Sequence, residues 1–243
     1  MRKGLRIKII RWIIAQFELY LFERKSSLFY REMFKNKILT VVDVGANRGQ
    51  TINFFLKSNP NSSLFSFEPN PKLSKDLKEK YKNYENVEII QFGVSNKIGN
   101  RIFYENILDE SSTFEELNMD SKYLKMKASI LGVKPEKIIK KSYPVKVTTL
   151  DHFFKERNLE IVNVLKIDTE GHELKCLEGL FESAPCQDVK IIQFEMHFDD
   201  MYIKNKSYED IKTLLNKNNY FEIKKIKHGF GNFYEYFYSK KLF

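Results

Sequence analysis

Two short stretches concentrate side chains able to move a proton. "IDTEGHE" places Asp168, Glu170 and His172 within five positions, and "FEMH" places Glu195 and His197 two apart. Each follows an apolar run that reads as a strand, "VNVLK" and "VKIIQ". In extended backbone, residues two apart share a face. Asp168 then aligns with Glu170, and Glu195 with His197. If the two strands are neighbours, four polar groups converge at one edge. Imidazole titrates near neutrality, so it can take a proton from a hydroxyl. On this reading His197, oriented by Glu195, is the base, and Asp168 lines the side where a second ligand sits. Glu170 either joins the set or neutralises a helix start. His172, in a first helical turn, is expected to be exposed or at a helix end rather than a base. His152 and His228 have no polar company and read as structural. The same carboxylates with one imidazole also suit Mg or Mn. Spacing alone does not separate that from a hydrogen-bonded acid–base set, which is preferred here.

A third stretch, "VVDVGANRGQTINFF", begins with an apolar run ending on Asp43. Gly45 and Gly49 bracket the turn that follows, with Ala46 and Asn47 inside it. Glycine permits positive φ and close approach of a ligand to the backbone. The spacing D-x-G-x-x-x-G departs from the dinucleotide pattern G-x-G-x-x-G, and no G-K-[ST] follows to make a P-loop. A ligand other than a phosphate is therefore open. S-adenosylmethionine, with a carboxylate, an amine and a sulfonium, suits a pocket of mixed acids and amides. Glu68, in "FSFEPN", closes the next strand-like run and is placed to bind ribose hydroxyls.

The elements that must position these groups alternate. Strand-like runs "ILTVVDV", "SLFSFEP", "NVEIIQFGVS", "VNVLKIDTE" and "VKIIQFEMH" are separated by helical runs "QTINFFLKS", "PKLSKDLKEKYKN" and "GHELKCLEGLFES". "SYEDIKTLLNKNN" is a further helix opening on Ser207, and "YFEIKKIK" and "NFYEYFYSK" form an antiparallel closing pair around "HGFGN". Alternation of this kind implies a doubly wound, mostly parallel α/β sheet. Such sheets bind ligands at the carboxyl ends of their strands, where strand order reverses. The expected division is residues 1–37 as a helical extension and residues 38–243 as the catalytic domain. Within the latter, the Lys-rich insert 113–146 is either a solvated loop with a helix or a lid. Its Lys122, Lys125 and Lys127 are expected to read an anionic or glycosylated acceptor.

Composition narrows the setting. The chain has 243 residues, 42% hydrophobic and 30% charged, with a formal net charge of +9. The charge suggests an acidic partner, but Lys, Asn and Ile pervade the chain, so compositional bias is the preferred explanation. "LRIKIIRWIIAQFELYLFERK" is broken by Lys8, Arg11 and Glu18 and fails the requirement of about 20 mostly uncharged residues for a spanning helix. It is expected to pack on the domain or touch a partner. Interfacial membrane binding through Trp12 and Phe17 is the lesser alternative. Only Cys176 and Cys186 are present, which fits a reducing cytoplasm, with peripheral attachment to a membrane left open.

"VVDVGANRGQT", "FEPNP", "GVSNKIG", "VTTLDHFF", "LKIDTEGHELKCLEGL" and "IIQFEMH" occur in this order and together resemble the FkbM family of S-adenosylmethionine-dependent methyltransferases. The resemblance runs from about Ile38 to Tyr238. It implies a class I methyltransferase (Rossmann-like) fold with a seven-stranded sheet, and methyl transfer to a hydroxyl of a sugar, glycan or natural product. It implies cofactor contacts at Asp43, Gly45, Ala46, Asn47, Gly49, Glu68, Pro69, Asn70, Gly93, Ser95 and Asp168. The rival readings are an RNA ribose methylase, a non-catalytic binding module and a nicotinamide oxidoreductase. The missing glycine disfavours the last, and "KIDTEGHE" occupies the place where base-flipping amino-methylases carry an Asn/Asp-Pro-Pro-aromatic motif. A nucleic-acid substrate is accordingly disfavoured.

Overall fold

The structure is a computed structural model and describes residues 23–34, 37–182, 188–203, 208–227 and 233–240. The sequence-based readings of Trp12, Phe17, Cys186, Ser207, His228 and "HGFGN" lie outside these residues.

Seven strands form the central sheet: β1 (Thr40–Val44), β2 (Ser63–Phe67), β3 (Val87–Ile90), β7 (Ile161–Ile167), β8 (Asp188–His197), β9 (Phe221–Lys227) and β10 (Phe233–Ser239). Their order is β3-β2-β1-β7-β8-β10-β9. The pairs β1–β2, β2–β3, β1–β7 and β7–β8 are parallel, while β10 runs antiparallel to β8 and β9. The expected α/β sheet with its antiparallel closing pair is the observed one. A parallel strand covered on both faces reads as a continuous apolar run, and Val41, Val42 and Val44 of β1 are all buried. Strand order reverses between β1 and β7, so the crevice falls where "DVGAN" meets "IDTEG".

Each face has its own core. On one, Val42, Val44, Leu165, Ile167, Ile192 and Phe194 pack with α5 (Leu150–Glu156), α6 (Glu173–Leu180) and α7 (Tyr208–Lys217). On the other, Val41, Val164, Ile191 and Phe237 pack beneath α1 (Glu23–Phe34), α2 (Gln50–Ser58) and α3 (Pro71–Lys80). α1 docks through Phe29, Tyr30 and Phe34, with Phe29 edge-on to Phe237 at 4.8 Å between ring centres. α3 starts where proline belongs: Asn70 caps it by accepting from the N–H groups of Lys72 and Leu73, and Pro71 takes the first position.

The insert 113–146, expected as a solvated loop with a helix or as a lid, holds a helix and runs into a strand. β6 (Ile139–Thr148) pairs antiparallel with β5 (Gly99–Asn106) and parallel with the short β4 (Gly93–Val94), making a second, three-stranded sheet. "NVEIIQFGVS" is accordingly two strands in two sheets, β3 and β4. β6 escaped notice because its lysines face water, so it lacks the apolar run of a buried strand. Between β5 and β6 lies α4 (Lys122–Leu131), capped by Ser121, whose Oγ accepts from the Leu124 N–H (2.9 Å), and ended by Gly132 at φ 68°. Leu124, Ala128 and Leu131 bury against Leu117, Ile138, Met201 and Tyr202. The insert is thus a folded layer with its own core.

Candidate active site

The turn after β1 is shaped by backbone. Gly45 sits at φ 95° and Asn47 at φ 46°. The N–H groups of Gly45 and Ala46 both donate to the Phe67 carbonyl at the end of β2 (3.1 and 2.9 Å). A Cβ on Gly45 would collide with the Asp168 carbonyl oxygen, so only glycine lets the β1 and β7 ends meet. Glu68 is clasped across the turn: the Asn47 N–H donates to its Oε2 and the Asn70 N–H to its Oε1, each at 2.8 Å. A carboxylate oxygen has two acceptor sites, so each oxygen of Glu68 retains one. Burial pushes its carboxyl up to about 8, although the two amides pull the other way. Asn47 Oδ1 is buried without a hydrogen-bond donor from the protein.

These groups line one end of a cavity of about 970 Å³, together with Pro69, Phe92, Gly93 and Val94. Asp168 lines it as well, with Oδ2 paired to Lys166 Nζ at 2.8 Å. An acid clasped by amides, an unsatisfied amide oxygen and an apolar slot fit a nucleoside with a charged tail, as S-adenosylmethionine is.

Four of the expected cofactor contacts stand outside the cavity wall. Asp43 is buried behind the turn, its carboxyl raised to about 6 by burial despite the Lys166 charge and the Thr51 and Ser66 hydroxyls beside it. Gly49 opens α2 against Tyr81, whose hydroxyl donates to the Gly49 carbonyl (3.1 Å). Asn70 is spent on capping α3. Ser95 is buried with its hydroxyl 3.0 Å from His172 Nε2. All four support the wall from behind rather than face the space within it.

At the other end, β7 and β8 are indeed neighbours, with Lys166 opposite Gln193 and Ile167 opposite Phe194. Asp168, Glu170, Glu195 and His197 all line the cavity. The reason for Glu170 is not the extended alignment expected from spacing, because Glu170 adopts φ 55°. Nor does Glu170 neutralise the helix start. Glu173 does so, its Oε1 accepting from Thr169 N–H, Thr169 Oγ1–H and Gly171 N–H, each at 3.0 Å. Glu170 instead accepts a hydrogen bond from Tyr202 Oη (2.7 Å) and faces His197 Nε2 at 3.8 Å.

His197 lies among three acids: Nε2 is also 3.3 Å from Glu195, and Nδ1 is 3.6 Å from Asp199. Burial would lower it, but Glu170, Asp199 and Glu195 outweigh burial and hold it well above the ordinary imidazole value. While protonated, an imidazole has no lone pair with which to take a proton. Burial pushes Glu170 up to about 7, against the charges of His197 and Lys127.

Three features were not legible in the sequence. His172, expected at the surface or a helix end, does stand at the N-terminus of α6, but it is buried. Its Nδ1 meets Glu115 at 2.5 Å, and Glu115 also pairs with Lys175 (2.9 Å). Burial lowers His172, with Glu115 opposing. Segment 108–114 forms a wall of the cavity, tied to the cofactor turn by ion pairs from Arg48 to Asp109 and Glu110, and to the β7 end by Thr113 Oγ1–H donating to the Glu170 carbonyl (2.8 Å). Of the three lysines expected to read the acceptor, Lys127 lines the cavity, whereas Lys125 turns back to the Asp120 carbonyl and Lys122 is not part of the wall. His152 has a polar neighbour after all, Glu156 at 3.9 Å. Cys176 is a buried free thiol.

Among the described residues, no cluster of three or more His, Cys, Asp or Glu could hold a metal ion, and no helix is long and apolar enough to cross a membrane.

Known proteins resemble this chain in sequence and fold. The chain is 23% identical over 141 residues to the 2-O-methyltransferase NoeI of Sinorhizobium fredii and 28% identical over 147 residues to Methyltransferase 1 of Beauveria bassiana. These matches cover 57% and 58% of this chain, and the chain spans 56% and 57% of the two relatives. Its fold is similar to that of a methyltransferase FkbM from Methylobacillus flagellatus, with a TM-score of 0.50 at 13% identity, over 83% of this chain and 43% of that one. The model of the methyltransferase FkbM domain matches residues 43–222, which hold both the Glu68 clasp and the Glu170–His197 cluster, and the chain belongs to that family.

Proposed function

We propose that this protein is an S-adenosylmethionine-dependent O-methyltransferase acting on a hydroxyl of a sugar, glycan or natural product. The observation that carries the reading is one continuous cavity, with the Gly45–Asn47 turn and Glu68 at one end and Glu170 with His197 at the other. The name of the NoeI relative supports the choice of oxygen as acceptor.

S-adenosylmethionine, when bound, supplies an electrophilic methyl group on a sulfonium. Glu68 accepts the ribose hydroxyls with its remaining lone pairs, and Asn47 Oδ1 accepts a donor from the same ligand. Asp168, kept in place by Lys166, lines the boundary between the two halves of the cavity. Most of the rate comes from orientation in a water-poor site, which the 108–114 wall and Phe114 supply. The acceptor hydroxyl loses its proton to Glu170, whose raised affinity matches a base working near neutral pH. His197, as a fixed cation, stabilises the ionised form of Glu170, and Tyr202 holds the carboxylate in position.

Calorimetry with S-adenosylhomocysteine tests the cofactor half. Charge-assisted hydrogen bonds contribute about 1.5–3 kcal/mol each, so Glu68→Ala should weaken binding at least about tenfold while the protein still melts cooperatively. Unchanged affinity would remove Glu68 from the site. Incubation of fractionated extract with labelled S-adenosylmethionine then identifies the acceptor.

A further inference from the structure

α4 has two apolar faces, one buried in the fold and one lining the cavity. Leu124, Ala128 and Leu131 point into the insert's own core. Tyr123, Met126, Lys127 and Ile130 stand at i, i+3, i+4 and i+7, so they share a second face. All four line the cavity. Yet Met126 is 51% and Ile130 55% exposed. A soluble protein gains nothing by presenting a methionine and an isoleucine to water side by side at the mouth of a catalytic cavity.

The stripe is continuous with the proton-handling end. The Tyr123 ring lies edge-on to Phe233 at 6.0 Å, and Phe233 lies 4.5 Å from the His197 ring. Lys127, in the middle of the stripe, is close enough to bias the charge of Glu170. A ligand whose hydroxyl meets Glu170 therefore shares its cavity with this face.

We infer that the Tyr123–Met126–Ile130 face of α4 is an acceptor subsite that binds an apolar portion, an alkyl or acyl chain or a hydrocarbon ring, attached to the hydroxyl-bearing part of the substrate. The inference rests on the cavity being the methyl-transfer site. It adds an apolar contact to the anionic or glycosylated acceptor expected of the insert, because Met126 and Ile130 line the cavity beside Lys127, whereas Lys122 and Lys125 do not. Met126 suits such a role, since its unbranched thioether adapts to varied apolar shapes.

The test uses the full chain saturated with S-adenosylhomocysteine and a series of n-alkyl β-glucosides, from methyl to octyl, below their micellar concentrations. Burial of each methylene should tighten binding about two- to fourfold, read by calorimetry. Met126→Ser with Ile130→Ser should flatten that dependence and leave the affinity for S-adenosylhomocysteine unchanged. Met126→Leu with Ile130→Leu should restore it, which separates lost contact from lost folding. No chain-length dependence in the wild type, or one that survives the serine pair, overturns the subsite. Co-sedimentation of the wild type with phosphatidylglycerol vesicles, lost in the serine pair, would assign the face to a lipid surface and overturn it too. Failure to bind S-adenosylhomocysteine at all would instead strike the methyl-transfer reading, so the two failures are distinct.

Discussion

Glu170 and His197 show how a neighbourhood changes what a residue can do. Imidazole is the usual base near neutrality, and "FEMH" invites that assignment. Three carboxylates within 3.8 Å each stabilise the charged ring, which is why the proposed mechanism gives the base role to Glu170 instead. The buried carboxyl opposite is raised as well, to about 7, chiefly by burial. Glu170→Gln should therefore lower kcat by about 10²–10⁴, the usual contribution of a general base. Affinity for S-adenosylhomocysteine should hardly move, since the lost interaction belongs to the transition state. The wild-type kcat should rise with pH along a limb centred near 7. His197→Gln removes a cation that favours the ionised carboxylate, so it should shift that limb to higher pH rather than abolish it. If the limb vanishes in His197→Gln and persists in Glu170→Gln, the imidazole is the base.

At the scale of elements, legibility follows burial pattern. β1, β2, β7 and β8 were readable because parallel strands covered on both faces leave unbroken apolar runs. α3 was readable because Pro71 marks its first turn. β5 and β6 were not, because each leaves much of its length facing water, with charged side chains along it. The carboxyl-end acids were readable as a cluster, but their partners were not. Tyr202 meets Glu170 from 32 positions away and Glu115 meets His172 from 57, distances over which spacing carries no information. The Tyr202 contact also ties the insert to the proposed base. Tyr202 belongs to the insert's core and also holds Glu170. Leu124 is fully buried in that core, and Leu124→Ala should destabilise it by about 2–5 kcal/mol. Amide exchange in α4 should accelerate more than in α2, and kcat should fall with it. Faster exchange without loss of turnover would show that the base does not depend on the insert.

Across the whole molecule, the acids gathered at the strand ends give stability a direction in pH. Asp43, Glu170 and Glu68 are raised to about 6, 7 and 8, from ordinary values of 3.8, 4.5 and 4.5, chiefly by burial. Each binds a proton in the folded chain that the unfolded chain has already released. Their contribution is complete below about pH 4 and is lost as pH rises through 6 to 8. His197, also raised, acts in the same sense. His172 opposes it, because a buried imidazole held neutral costs stability once the unfolded one protonates, below about 6.5. Glu105 and Glu115, lowered by their lysine, tyrosine and histidine partners against the pull of burial, add stability that is lost only as pH falls below about 4.5. The melting temperature of the ligand-free protein should therefore fall as pH rises through the interval of about 6 to 8 in which the three raised carboxyls ionise. In the proposed site Glu68 accepts hydrogen bonds from the ribose hydroxyls, which its ionised form does better. The stabilisation gained from S-adenosylhomocysteine should therefore grow over the interval in which the free protein weakens. Thermal shift across pH 5.5 to 8.5, with and without ligand, measures both slopes, and Glu68→Gln should remove the upper part of each. A melting temperature flat over that range, or slopes unchanged in Glu68→Gln, would mean that water reaches these carboxylates and that burial does not set their charge.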